Sequence, residues 1–159
     1  MIRLFSVLGL IPRIVLVTLM LIMLMDMMLG VFFRYVVGQA LFWSEEVGTL
    51  CLIWLTFIGG AIGVTRDSHF SINMLLDHLQ PGKRRILRTV IALLIMLFGL
   101  ILAPYGLDLA IRNSTSITPG LGINLSFQYA SAFVGGVMIV CYALVLTIQT
   151  IRGKEPHQG

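Results

Sequence analysis

Four apolar runs, each of membrane-crossing length, leave this chain few ways to fold. A helix rises about 1.5 Å per residue, so about 20 apolar residues cross the hydrocarbon core of a bilayer. Ile14–Val37, Ser44–Thr65, Ile86–Ile111 and Ser126–Ile151 meet that requirement. In lipid every backbone polar group must find its partner inside the chain, so these runs are expected to be helices. The fold class that follows is an all-α integral membrane protein with four transmembrane helices, in a single membrane domain over residues 1–159. Composition agrees: 11% of the residues are charged, against about 25% in a soluble domain, too few to cover the chain with a water-facing surface. The first run is too long for a secretory signal, contains Asp26 and lacks a small-x-small cleavage site, so it reads as a retained span. Pro104, near the outer end of the third run, removes one helical hydrogen bond and is expected to kink it.

Lys and Arg set the orientation. Arg3 and Arg13 precede the first span, Arg66, Lys83, Arg84, Arg85 and Arg88 flank the link between the second and third, and Arg152 and Lys154 follow the fourth. The opposite side carries Arg34 and Arg112. Both termini are therefore expected on the cytoplasmic side, with the Gly38–Trp43 and Asn113–Leu125 loops outside. The net charge of +4 does not indicate nucleic acid, because the basic residues sit at the ends of apolar runs and form no separate patch.

The stretch 68–79 is too short to span. Ile72, Leu75, Leu76 and Leu79 share one helical face, which predicts a short amphipathic helix lying in the membrane interface, against the plainer reading of an apolar loop. Pro81-Gly82 ends it, and Lys83-Arg84-Arg85 then lie at the level of lipid phosphates, so membrane lipids are expected partners.

Asp26 is the one acid deep in a run. A carboxylate at mid-bilayer costs about 2.5–3.5 kcal/mol on the insertion scale, so it should face protein or water. It is either a proton or ion site or a hydrogen-bonded acid at a packing interface, and its isolation from any second intramembrane charge favours packing. Met23, Met25, Met27 and Met28 around it are adaptable packing residues with no metal role. Glu45 and Glu46 open the second span after Trp43, where negative charge suits the positive end of a helix dipole, Ser44 suits the cap and tryptophan suits the headgroup zone. A sharper alternative pairs one of these glutamates with Arg34. Gly59, Gly60, Gly63, Gly135 and Gly136 give smooth helix faces for close packing, without saying whether the neighbour is in this chain or another. Cys51 and Cys141 lie in apolar runs and read as small buried residues rather than a disulfide. No catalytic set, metal-ligand cluster or phosphate-binding glycine loop is visible in the sequence, so neither enzyme activity nor a cofactor is expected.

Taken together, Arg34-Tyr35, Trp43-Ser44-Glu45-Glu46, Trp54 and Gly59, Arg66 with His69, and Thr118-Pro119-Gly120-Leu121 resemble the DctQ-type small membrane subunit of tripartite ATP-independent periplasmic (TRAP) transporters. The resemblance covers nearly the whole chain. Three positions depart from the family pattern: Thr49 stands where an arginine is frequent, Asn73 where an acid is usual, and Asn124 near where a proline is common. The resemblance implies a bacterial inner-membrane complex in which a periplasmic substrate-binding protein captures an organic acid, such as a C4-dicarboxylate or a sialic acid. A large multi-span permease subunit then carries it inward on a sodium gradient. The small subunit scaffolds the large one and helps dock the binding protein, with Arg34, Trp43, Glu45, Glu46, Arg66 and His69 in structural and interfacial roles. The competing reading is a self-sufficient proton-coupled transporter in which paired four-helix chains use Asp26 as the coupling acid.

Overall fold

The computed structural model describes residues 2–65 and 81–151. The expected interfacial helix, with Arg66 and His69, lies outside them. Helix α1 spans Ile2–Phe32 and runs on through a π-helical turn, Phe33–Val37. Helices α2 (Ser44–Thr65), α3 (Pro81–Arg112) and α4 (Ser126–Ile151) follow, with no strand among the described residues. All four contain stretches long and apolar enough to cross a membrane. The second and fourth begin and end where the apolar pattern placed them. The first and third extend beyond it at their N-terminal ends, to Ile2 and Pro81, because hydropathy marks the lipid slab and not the last helical hydrogen bond. Proline is tolerated at the first helical position, where its missing N–H has no intrahelical partner. Pro104 stays inside one continuous helix, α3.

The helices pack in the order α1, α2, α4, α3: α3 lies against α4, α4 against α2, and α2 against α1. Paired glycines of α4 make its central place possible. A Cβ on Gly135 would lie 2.7 Å from Phe57 Cβ of α2, and one on Gly136 would lie 2.7 Å from the Ala103 nitrogen of α3. Gly106 of α3 is just as tight, 2.6 Å from the Phe133 nitrogen. The neighbours of these glycines are therefore within the chain, and van der Waals contact between backbones drives the packing, as expected where lipid removes the hydrophobic driving force. Trp54 of α2 adds a hydrogen bond, its Nε1–H donating to the Phe127 carbonyl of α4 at 3.2 Å. Gly60 and Gly63 have nothing within 4 Å of an added Cβ and face open space.

At the edge of this row, α1 has a single buried residue between Leu10 and Phe32, and it is Asp26. The chain leaves α1 through the π turn, which Gly38 ends in the left-handed conformation, φ 75°, its N–H bonded to the Phe33 carbonyl. Residues without special backbone freedom avoid that conformation.

Candidate functional site

The candidate residues collect at one end of the bundle, where α1 and α3 finish and α2 and α4 begin. Two buried or half-buried contacts hold this end together, and an exposed rim surrounds them.

The first contact joins α1 to α2. Ser44 Oγ donates to Asp26 Oδ2 at 3.0 Å. Asp26 is 5% exposed, and its Oδ1 is buried without a hydrogen-bond partner. The backbones come close here: a Cβ on Gly30 would sit 2.9 Å from Ser44 Oγ, and one on Gly48 would sit 3.9 Å from Asp26 Oδ2. Asp26 therefore lies level with the first turn of α2, not against its apolar middle. The free N–H groups of a helix start carry partial positive charge, which favours a carboxylate placed there. Ser44, expected to cap its own helix, points its hydroxyl across to the neighbouring one.

The second contact joins α2 to the loop between α3 and α4. Glu46 Oε1 accepts the Gly120 N–H and Oε2 accepts the Leu121 N–H, both at 2.7 Å. This loop is a tight turn closed by backbone bonds, Gly122 N–H to the Thr118 carbonyl at 3.0 Å and Thr118 N–H to the Ile123 carbonyl at 2.8 Å. The buried Thr118 hydroxyl accepts the Ile123 N–H at 3.2 Å. Folded this way, the turn aims two successive amides at one carboxylate, a small anion nest. Gly120 must be glycine-sized, since a Cβ would fall 2.9 Å from the Phe42 carbonyl oxygen and 3.0 Å from Glu46 Cδ. Asn124 and Ser126 tie the other end of the turn: Asn124 Nδ2 donates to the Ser114 carbonyl, and Ser126 Oγ donates to the Ala110 carbonyl at 2.6 Å.

Glu46 is thus committed to the loop, and the Arg34–glutamate pair is not formed. Among the described residues the ion pair present is Arg112 with Asp108, an exposed i,i+4 contact at 2.7 Å. Arg34 and Glu45 are exposed. With them on the rim stand Tyr35, 79% exposed, and Phe42, 87% exposed, beside the partly exposed Trp43. Because Ser44 packs level with Gly30, the end of α1 from Val31 to Val37 projects about 10 Å past the start of α2. Thr118-Pro119-Gly120-Leu121 is legible in the sequence as a motif but its link to Glu46 is not, and nothing in the sequence singles out Phe42. The described residues contain no cluster of three or more acidic, histidine or cysteine side chains able to hold a metal.

A family model described as the DctQ component of tripartite ATP-independent periplasmic transporters matches residues 19–153. The chain is similar to the sialic acid TRAP transporter small permease protein SiaQ of Vibrio cholerae, 34% identical over 110 residues that cover 67% of this chain and 62% of that protein. It is also similar to the ectoine TRAP transporter small permease protein TeaB of Halomonas elongata, 25% identical over 78% of this chain and 65% of that one. A third relative is the C4-dicarboxylate TRAP transporter small permease protein DctQ of Rhodobacter capsulatus, 25% identical over 76% of this chain and 54% of that one. The chain therefore spans about two thirds or less of the length of these relatives.

Proposed function

The chain belongs to the DctQ component family of the tripartite ATP-independent periplasmic (TRAP) transporters, and from that premise we propose that it scaffolds a large, sodium-coupled permease subunit and helps dock a periplasmic substrate-binding protein. The family is one of transporter components and not of enzymes, and the chain is a multi-pass inner-membrane protein. The observation that carries the proposal is α1, which buries only Asp26 against its own chain between Leu10 and Phe32 and leaves its apolar surface for lipid or another subunit. The buried polar side chains Asp26, Thr118 and Ser131 each make a hydrogen bond within the chain, which favours a packing role over a solute path. The rim residues Arg34, Tyr35, Phe42 and Trp43 form the exposed surface for docking, and Glu46 holds the loop beside them. Arg66 and His69 are assigned to the same scaffold on the resemblance alone.

The relatives are named for sialic acid, ectoine and C4-dicarboxylates, all carboxylates, so an organic carboxylate is the proposed substrate class. A clean deletion in the host, assayed with labelled members of that class, tests the reading. Loss of uptake, restored by the chain in trans, together with co-purification of a large polytopic protein near one-to-one, is the expected result; uptake persisting in the deletion strain refutes it. A second reading rests on the unpartnered Asp26 Oδ1: paired copies acting alone as a proton-coupled transporter. It requires transport by the purified chain in liposomes and its loss in Asp26→Asn.

A further inference from the structure

A small cavity of about 10 Å³ lies where α2, the loop between α3 and α4, and the start of α4 meet. Glu46 and Leu50, one turn apart, line it from α2, Thr118 and Asn124 from the loop, and Gln128 from the first turn of α4. The hydrogen-bonding capacity of this lining is unevenly used. Asn124 bonds at both ends of its amide, Nδ2 donating to the Ser114 carbonyl and Oδ1 accepting the Ser126 N–H. Thr118 Oγ accepts the Ile123 N–H. Glu46 accepts one amide N–H on each oxygen, and a carboxylate has room for about four such bonds. Gln128 is half-buried. Its N–H donates to the Leu125 carbonyl and its own carbonyl accepts the Ser131 hydroxyl, but among the described residues its side-chain amide makes no hydrogen bond. An acceptor with capacity left and a donor without a partner thus line one water-sized space.

We propose that this cavity is a binding site for one ordered water, which donates to the Glu46 carboxylate and accepts the Gln128 Nε2–H. Roughly 10 Å³ is the smallest cavity that holds a water, and the water needs two or more polar partners; Glu46, Gln128 and Thr118 provide them. Such a bridge is nearly as favourable as a direct hydrogen bond. It links the first turn of α4 to the first turn of α2, beside the direct bonds from Gly120 and Leu121. The rival occupant is a cation. A hard cation gathers about six oxygens, and the Glu46 charge is already met by two amide donors. The inference stands on this cavity and its lining and does not depend on the transport role proposed above.

The test is a crystal structure of the full-length chain in a lipidic phase, at a resolution that shows ordered water, with a second crystal soaked in a thallium(I) salt. A density peak within hydrogen-bond distance of Glu46 and Gln128, without anomalous signal in the soaked crystal, is expected. No peak at that place, or an anomalous thallium peak there, overturns the proposal. Gln128→Met keeps the length of the side chain and removes its amide. It is expected to lower the thermal midpoint in detergent, and to lose most of that effect in the Glu46→Ala background, because the bridge needs both of its ends. An unchanged midpoint in Gln128→Met, or the same shift in both backgrounds, likewise overturns it.

Discussion

The Glu46 carboxylate, in the first turn of α2, accepts the backbone N–H of Gly120 at 2.7 Å across 74 residues of sequence. With the matching bond from Leu121, it fastens the start of α2 to the loop that joins α3 to α4. An ionised acceptor makes the stronger class of hydrogen bond. The donors are main-chain amides, so the contact constrains the shape of the loop more than its side chains.

Glu46 and its neighbour Glu45 are therefore expected to behave differently. Glu46→Gln keeps one acceptor oxygen and presents an NH₂ group to the second amide, so thermal unfolding in detergent should move to lower temperature. Glu45→Gln, at an exposed position, should leave it unchanged. Equal midpoints for the two variants would show that the loop holds its form without the carboxylate.

Gly120→Ala examines the same contact from the loop side. The added methyl falls 2.9 Å from the Phe42 carbonyl oxygen and 3.0 Å from Glu46 Cδ, and one of these must move. Overpacking of this kind costs about 1–3 kcal/mol. Combining it with Glu46→Gln should cost less than the sum, because both act on one contact; full additivity in a double-mutant cycle would mean the two positions are independent.

What the sequence made legible follows from the solvent. Lipid forces apolar runs into helices, so the bounds of Ser44–Thr65 and Ser126–Ile151 could be read directly from the sequence. The packing order α1, α2, α4, α3 could not, because any small-residue face can serve any neighbour: Gly135 and Gly136 turned out to meet α2 and α3, while Gly60 and Gly63 face open space. The charges misled in one respect. Arg34 and Glu46 share an end of the bundle, and opposite signs invite pairing, but backbone amides carry no letter in the sequence and they took the carboxylate. Asp26 stands well inside the first apolar run, and the return of the chain to Ser44 beside Gly30 sets it level with the start of a neighbouring helix, a relation that position along α1 alone does not carry.

Glycines at the α3–α4 contact should be intolerant where those of the open face are not. Gly106→Leu and Gly136→Leu would press side chains onto backbone atoms 2.6 Å and 2.7 Å from the new Cβ, separating the helices. Gly63→Ala meets nothing within 4 Å and should alter stability by less than about 0.5 kcal/mol. Folded yield and thermal midpoint in detergent decide this; normal yield for Gly136→Leu would contradict the packing described.

Removing either member of the Asp26–Ser44 contact should loosen α1 from α2. Ser44→Ala leaves a buried carboxylate without its hydroxyl donor, a loss of about 0.6–1.7 kcal/mol by the scale of membrane hydrogen bonds. Asp26→Asn preserves an acceptor for Ser44 and should retain most uptake in the intact host. Uptake abolished by Asp26→Asn with normal folding would turn the argument toward proton coupling.

The exposed rim yields the most direct test of docking. Tyr35 and Phe42, 79% and 87% exposed, present large apolar side chains at the end of the bundle where Arg34 is also exposed. Aromatic and arginine side chains are the usual energetic anchors of protein interfaces, each worth about 2 kcal/mol or more when truncated. Tyr35→Ala, Phe42→Ala and Arg34→Ala should therefore weaken capture of the binding protein by the assembled membrane complex by roughly 30-fold each. The isolated chain should unfold at its usual temperature, because these side chains support nothing beneath them. A variant that lowers the unfolding temperature in parallel with uptake would instead assign the rim to the fold. Wild-type uptake and binding in all three would move the docking surface elsewhere on the complex.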